Sequence, residues 1–285
     1  MGFLSNMIRL GKGNGDNVKV LVPTAFRIPS GNNILLHLEL KNEPGVVAKV
    51  TDIVKESGLN ISNITTPTIV KGDYGDLFVM IENCDRKCGE TLSKNMKKEL
   101  GKLLIDINVY DSRENFLFIP NSVIEFMGVE SIIIPKFFIE EVYRRIYEKY
   151  PDASTLSLLR NIGIAIGSAL FKGLFGETAV EKGIEEHYSM ALKFFEGAYA
   201  SMGFGNAKIT YKNGVVFNIE IINNFESVIL KNLGTTRAIP ELTIGILQGY
   251  LSSMTERRVE IHVLETLSKG SQKDLFEARI YEYAR

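Results

Sequence analysis

Hydrophobic and polar positions change their spacing several times between residues 33 and 111, and each change predicts an element. The run ILLHLEL at 34–40 mixes alternation with continuous apolar residues, which is typical of a buried strand. Valine and isoleucine then recur at the spacing of one helical face, between Pro44 in the expected first turn and Gly58 at the end. The pattern continues with strands at 59–70 and 77–82 around a turn at 71–76, a polar helix at 86–100 and a strand at 103–110. The order strand, helix, strand, strand, helix, strand predicts a ferredoxin-like unit.

Beyond Ser112 the pattern starts again and predicts helices packed on an antiparallel sheet. We expect a short strand at 116–120 and a capped short helix at 121–128, followed by longer helices at 131–150, 159–176 and 179–202. Asn213-Gly214 is a strong hairpin signal between two strands. A further helix begins near Pro240, and two strands, 257–266 and 273–283, lie on either side of SKGSQ. The whole chain is therefore expected to be an α+β protein.

Gly163 and Gly167 lie four residues apart and share one helical face, which allows another backbone or a ligand to approach closely. The same spacing marks dimerising helices in lipid. In a water-soluble chain it more often marks tight core packing, which is the interpretation we favour.

The segment Asn42–Ile61, NEPGVVAKVTDIVKESGLNI, resembles the ACT domains, which are small amino-acid sensing modules. The resemblance implies an ACT domain at 31–111 after an N-terminal arm at 1–30. It also implies a carboxylate site at the amides of a helix N-terminus. The residues carried over from the family are Asn42, Glu43, Gly45, Val46 and Val47 from the loop, with Asn60 and Ile61 supplied across a dimer interface. The alternative is that Asn42 only caps the helix.

Residues 113–285 resemble the 4-vinyl-reductase domain, also called the hydrocarbon-binding domain, most clearly from Asn224 to Ile280. That family shares a fold with vesicle-tethering and haem-based nitric-oxide-sensing domains. It generally holds a small apolar molecule in an internal pocket. The resemblance implies a pocket whose candidate residues here are Gly163, Gly167, Phe171, Phe195, Tyr199 and Glu226.

Some members of that family also bind a structural zinc ion, through cysteines of the closing hairpin. The matching positions here are Thr266 and Asp274, on either side of Lys269-Gly270. Zinc prefers thiolate and imidazole ligands in a tetrahedral array. We therefore expect no metal at this hairpin, and no cofactor elsewhere.

Composition narrows the function further. The 33 basic and 34 acidic residues nearly balance, so the chain has no broad cationic field, and nucleic acid is not an expected partner.

Cys84 and Cys88 are the only cysteines, and we expect two ordinary thiols in a reducing cytosol, with a metal or redox role as the alternative. The N-terminus has no secretory pattern. Arg160 and Lys172 interrupt the longest apolar segment, 155–175, so we expect neither a membrane span nor a membrane partner.

The sequence contains no recognisable catalytic constellation. The GKGNGD run at 11–16 is not followed by GK[ST], and we interpret His37, His187 and His262 as structural or surface histidines. We therefore expect a cytoplasmic, ligand-sensing regulatory homodimer, because the edges of a four-stranded sheet favour pairing. Its ligands would be a small apolar molecule and an amino acid. An enzyme acting on an apolar substrate, or a scaffold whose pocket is closed by Phe171, Phe195 and Tyr199, are the alternatives.

Overall fold

The structure is a computed structural model, and it describes residues 25–27, 32–66, 72–112, 116–118, 123–126, 129–150, 152–175, 184–212, 216–235 and 239–281. The chain divides into two units, residues 1–123 and 124–285. Both units combine antiparallel sheets with helices, as the α+β prediction requires.

The first unit contains the predicted ferredoxin-like arrangement. Its elements are β2 (Ile34–Lys41), α1 (Val46–Glu56), β3 (Asn60–Thr65), β4 (Tyr74–Glu82), α2 (Arg86–Leu100) and β5 (Leu104–Asp111). The strands pair antiparallel in the order β3-β4-β2-β5, so β3 and β5 form the edges. Alternate β2 residues pack against both helices, and Ile34, Leu36 and Leu38 are fully buried there.

A short two-stranded ribbon extends the first unit beyond the predicted boundary. Here β1 (Ala25–Arg27) pairs antiparallel with β6 (Phe116–Phe118). Leu117 is buried against Leu35 and Met80, on the sheet face opposite the helices. Residues 116–118 therefore belong with the first unit, whereas the sequence placed them at the start of the second domain, and residues 25–27 are part of the fold rather than of an arm.

The second unit begins with a hairpin where a short helix was predicted. Strand β7 (Ile124–Phe126) pairs with β8 (Val129–Ser131), so the helix prediction for 121–128 is wrong within the described residues. The physical reason is that β-branched and aromatic residues occur on both sides of the sequence pair Met127-Gly128, a pattern that favours a hairpin. Helix α3 begins at Lys136, directly after Pro135, rather than at Ser131, because Ser131 belongs to β8.

The rest of the second unit packs helices on a four-stranded sheet. The helices are α3 (Lys136–Lys149), α4 (Ala153–Ala169), α5 (Ile184–Ser201), α6 (Phe225–Asn232) and α7 (Glu241–Thr255), and a π-helical turn (Leu170–Phe175) continues α4. The strands are β9 (Asn206–Lys212), β10 (Val216–Ile222), β11 (Arg258–Glu265) and β12 (Asp274–Tyr281), in the antiparallel order β11-β12-β10-β9. Helix α6, whose first turn is capped by the side chain of Asn224, was not predicted from the sequence.

Four glycines bring α4 and α7 into backbone contact. A Cβ atom added at Gly163 or Gly167 would overlap α7 carbonyl oxygens, those of Leu242 and Ile246 respectively. Gly245 and Gly249 of α7 meet the α4 backbone in the same way. This is the tight core packing that the glycine spacing predicted. By length and composition alone the stretch Ala153–Gly173 could also cross a membrane, a test that core helices of soluble proteins pass as well.

Candidate functional site

The loop before α1 leaves the helix N-terminus without a side-chain cap. Gly45 takes the N-cap position with a φ of 85°, a left-handed conformation that favours glycine. The amide of Val46 donates to the carbonyl oxygen of Glu43 (3.2 Å), and the first intrahelical bond is that of Lys49 to Gly45. The amides of Val47 and Ala48 therefore precede the intrahelical ladder, where an anion is favourable.

Asn42 does not cap α1, so that alternative for Asn42 is wrong. Its side-chain amide donates to the carbonyl oxygen of Gly72 (3.2 Å), and its backbone amide donates to that of Asp73 (2.8 Å). Asn42 thus fixes the loop to the turn that precedes β4. Among the other loop residues, Glu43 is exposed, whereas the side chain of Val46 is buried in the core.

The two residues expected from across a dimer interface lie on the edge strand β3. The side-chain amide of Asn60 donates to Glu82 (2.9 Å), and Ile61 pairs with Ile81 of β4. No residue of β3 is fully buried, since exposed and half-buried positions alternate along it. A ligand site that joins these two residues with the loop residues of a second copy stays a prediction.

Cys84 and Cys88 are joined in a disulfide bond, so the expectation of two free thiols is wrong. Their Cα atoms lie 5.4 Å apart at the start of α2, within the range that a disulfide spans. Asp85 caps the same helix by accepting from the amide of Cys88 (2.8 Å). Because disulfides are rare in cytosolic proteins, the cytoplasmic location stays a prediction.

In the second unit, the predicted pocket aromatics meet in the core. The ring of Phe195 stacks on Tyr199 (centroids 5.2 Å apart) and packs against Tyr250 (4.7 Å), and Phe171 contacts Tyr250 edge-on (5.4 Å). Tyr250, which the sequence analysis did not single out, is fully buried and donates its hydroxyl to the Ala191 carbonyl oxygen (2.6 Å). We call Phe171, Phe195, Tyr199 and Tyr250 the aromatic cluster. Gly163 and Gly167 lie against α7 instead.

A groove of about 570 Å³ lies between α5 and the edge strand β9. Its lining combines apolar and aromatic side chains with polar ones, namely Tyr188, Leu192, Ile209, Tyr211, Ser189, Lys193, Glu196 and Lys208. Leu192 and Ile209 also belong to the core that contains the aromatic cluster. Glu196 of α5 accepts from the amide of Ile209 (2.6 Å), which ties the helix to the strand edge. On a helix, the spacing of Tyr188, Leu192, Phe195 and Tyr199 places these four side chains on one face.

Glu226 is not at a pocket opening but is fully buried at the N-terminus of α7. Its carboxylate accepts from the amides of Leu242 (3.0 Å) and Thr243 (2.7 Å) and from the hydroxyl of Tyr143 (2.9 Å). Burial raises the pKa of Glu226 to about 7, although the donated backbone hydrogen bonds oppose that shift. Burial, together with the adjacent carboxylate, also raises the pKa of Tyr143 far above its ordinary value. The arrangement is a structural cap of α7.

Asp274 occupies the centre of a neighbouring polar network. It is fully buried and accepts from the side chains of Asn224 and Ser227 (both 2.6 Å) and from the amide of Leu267 (2.6 Å). Tyr199 reaches the same network through a hydroxyl contact with Asn224 (3.4 Å). Position 274 matches a cysteine in the family that this part of the sequence resembles. In this chain the carboxylate of Asp274 holds the closing hairpin instead. Thr266 is buried beside it and bonds Ser268 (3.0 Å).

Among the described residues, no group of three His, Cys, Asp or Glu side chains could hold a metal ion. His37 bonds Asp76 (2.8 Å) and stacks on Phe78, so it is satisfied on the sheet surface. The side chain of His187 and the glycine-rich run at 11–16 lie outside the described residues.

Comparison with known proteins gives partial similarities among solved structures. No family model matches the chain, and no curated protein matches it. The phenol-responsive sensory domain of the transcription activator PoxR, solved with phenol, is 13% identical, with a TM-score of 0.43 over 54% of this chain and 78% of that one. A vinyl-4-reductase family protein from Methanocaldococcus jannaschii is 22% identical, with a TM-score of 0.37 over 54% and 85%.

A third similar structure is a trafficking protein particle complex subunit 3 from Naegleria fowleri, covalently bound to palmitic acid. It is 16% identical, with a TM-score of 0.38 over 53% of this chain and 95% of that one. The solved structures to which this chain is similar thus include a phenol-responsive sensory domain and a vinyl-4-reductase family protein.

Proposed function

We propose that the protein is a ligand-responsive regulatory protein whose second unit binds a small apolar molecule in the groove between α5 and β9. The groove carries this proposal, because its volume of about 570 Å³ falls within the roughly 300–1,000 Å³ of small-molecule sites. Its walls also have the expected chemistry, with apolar and aromatic side chains beside a few polar groups.

The groove adjoins the aromatic cluster through α5 itself. Phe195 and Tyr199 project from this helix into the core, while Leu192 belongs to both the core and the groove lining. Two polar contacts hold the helix in place: Glu196 with the β9 backbone, and Tyr250 with the Ala191 carbonyl oxygen. A ligand that wedges between α5 and β9 would shift the helix and open a path to the cluster. Phe171 of the aromatic cluster lies in the π-helical turn after α4. A π-helical turn here is consistent with a binding site, since such turns are frequent at functional sites.

The first unit would bind the carboxylate of an amino acid at the uncapped N-terminus of α1, in a homodimer paired through the sheet edge. The supporting observations are the left-handed Gly45, the amides of Val47 and Ala48, and the uncovered strand β3. If each ligand favours one arrangement of the dimer, then linkage makes the coupling between the two ligands reciprocal. The scaffold alternative is supported by the closed packing of the aromatic cluster.

The test is a calorimetric titration of the purified protein with a panel of small aromatic and aliphatic molecules. In this panel, phenol is the compact aromatic molecule and palmitic acid is the extended aliphatic one. Saturable binding of at least one class, with a negative heat-capacity change from apolar burial, is the expected result. If no member of the panel binds at millimolar concentration, the scaffold function is favoured instead.

A further inference from the structure

The disulfide between Cys84 and Cys88 joins the core of the first unit to its surface. Cys84 is fully buried and belongs to the same hydrophobic core as Leu36 of β2. Cys88 is half-buried and lines a groove of about 680 Å³ between α1 and α2. One cysteine of the bond is therefore enclosed by protein, whereas the other stands in the wall of an open groove.

The fold holds the start of α2 by other contacts as well as by this bond. The disulfide joins residues only four positions apart, and the stability that a disulfide confers falls as the closed loop shortens. Asp85 caps α2 by accepting from the amide of Cys88 (2.8 Å), and the amide of Cys84 donates to the carbonyl oxygen of Asn32 (2.8 Å). One turn further along, Leu92 packs in the core. We therefore expect the first unit to keep its fold when the bond opens.

We propose that Cys88 is a site of reversible thiol exchange, at which a small thiol enters the groove and forms a mixed disulfide. The thiolate of the incoming molecule attacks the sulfur atom of Cys88, so a bond forms between these two sulfurs and the bond to Cys84 breaks. Cys84 leaves with the electron pair of the broken bond and takes up the proton that the incoming thiol lost. A second molecule of the thiol then attacks the small molecule's sulfur in the mixed disulfide. This step frees the Cys88 thiol and releases the small thiol as its own disulfide, so two thiols are oxidised and one protein disulfide is reduced.

Access to the bond selects both the sulfur that is attacked and the class of thiol that attacks it. Exchange depends on which sulfur an attacking thiolate reaches, and Cys88 borders the groove while Cys84 is enclosed. A cysteine in a concave wall is reached more readily by a small molecule than by the surface of a protein reductant. The groove volume lies within the roughly 300–1,000 Å³ of small-molecule sites, and its lining includes charged side chains of both signs, namely Glu56, Lys87, Lys98 and Glu99. This lining suits a thiol that carries both carboxylate and ammonium groups, as a peptide thiol such as glutathione does.

The test uses glutathione on the full chain, with the products identified by mass spectrometry. Wild-type protein incubated with millimolar reduced glutathione and then blocked with maleimide in urea should carry maleimide on both cysteines, and its circular dichroism before the urea step should be unchanged. The variants Cys84→Ser and Cys88→Ser each leave one thiol, and oxidised glutathione then measures how accessible that thiol is. Cys84→Ser should form the mixed disulfide at least about tenfold faster than Cys88→Ser, because reactivity follows exposure. In urea, where both thiols are exposed, the two rates should become similar.

A bulky side chain in the groove tests the route to Cys88. In the Cys84→Ser background, Thr91→Trp fills the groove about one turn along α2 from Cys88 and should slow formation of the mixed disulfide at least about tenfold. Lys94→Trp, exposed on the same helix outside that lining, is the matched control and should react like its parent. Asn95→Trp fills the same groove if Thr91→Trp folds poorly.

Three results would overturn the proposal. The first is a bond that stays closed in reduced glutathione, whether or not a protein dithiol opens it. The second is a Cys84 thiol that reacts as fast as that of Cys88, and the third is equal rates for the groove variant and its control. None of these outcomes involves the groove between α5 and β9 or the loop before α1, so this proposal and the proposed function fail independently.

Discussion

At the residue scale, the buried carboxyl group of Glu226 links stability to pH. Its pKa is about 7 in the folded protein, compared with an ordinary value of 4.5. The folded state therefore binds the carboxyl proton of Glu226 more tightly than the unfolded state does. The stabilisation of the folded state that results is fully present below about pH 4.5 and is lost as pH rises through about 7. The contribution is at most on the order of 3 kcal/mol.

The variant Glu226→Gln should remove this pH dependence. Glutamine also loses one acceptor for the two amides of α7, so we expect it to cost about 2–4 kcal/mol of unfolding free energy below pH 5. The deficit should narrow as pH rises to 8, because only the wild type then loses its contribution. Urea unfolding at several pH values measures this directly, and a deficit that is constant or widens with pH would show that Glu226 is ionised throughout.

Residue identities at the closing hairpin could be predicted only in part. The absence of cysteine at 266 and 274 argued against zinc at this hairpin. The role of Asp274 could not be inferred, because its partners Asn224 and Ser227 lie about 50 positions away in sequence. Spacing along a chain does not report such long-range hydrogen bonds. The disulfide was not predicted because a chain with only two cysteines is typical of a protein from a reducing compartment, where cysteines stay as thiols.

At the element scale, the crossing of α4 and α7 depends on the four glycines. The variant Gly167→Ala places a methyl group on the Ile246 carbonyl oxygen, which forces the helices apart. We expect a loss of about 2–4 kcal/mol in unfolding free energy, as for other overpacked cores. The control is Gly197→Ala on the exposed face of α5, where an added Cβ meets nothing within 4 Å. It should stabilise the protein by up to about 1 kcal/mol through helix propensity.

Denaturant midpoints of the two alanine variants decide this prediction. Equal effects of the two substitutions would mean that the helices separate without cost. The sequence predicted this contact because four-residue glycine spacing has a direct geometric meaning on a helix. It did not predict the hairpin β7–β8, since a short apolar run fits either a strand or a helix.

Helix α1 provides a second prediction at this scale. The variant Gly45→Val should abolish binding of any amino acid at the loop. The cause is the φ of 85°, which a β-branched residue does not tolerate, rather than crowding, since an added Cβ meets nothing within 4 Å. Gly58→Val, at the other end of α1 with a φ of 69° and equally open surroundings, carries the same strain without touching the loop.

Calorimetry with the twenty standard amino acids distinguishes these two variants. Binding should persist in Gly58→Val and disappear in Gly45→Val. Loss in both variants would indicate that general destabilisation is the cause, and retention in both would remove the assigned carboxylate site.

At the scale of the whole molecule, the sequence predicted two units and their general architecture, because strand and helix periodicities are local. It did not fix their boundary, since the pairing of residues 25–27 with 116–118 joins segments about 90 positions apart. The same limitation applied to the apolar site. The sequence identified the aromatic residues of α5 but could not show that some of them pack in the core while others line a groove.

The most direct test of the apolar site compares two tyrosines that are both 39% exposed, Tyr211 in the groove and Tyr281 on β12. The measurement is the dissociation constant of the tightest ligand from the panel for Tyr211→Ser and Tyr281→Ser. Removing one aromatic wall should cost about 1.4 kcal/mol, so we expect Tyr211→Ser to bind roughly tenfold more weakly and Tyr281→Ser to bind like the wild type. Equal affinities for the two variants would contradict binding in the groove between α5 and β9.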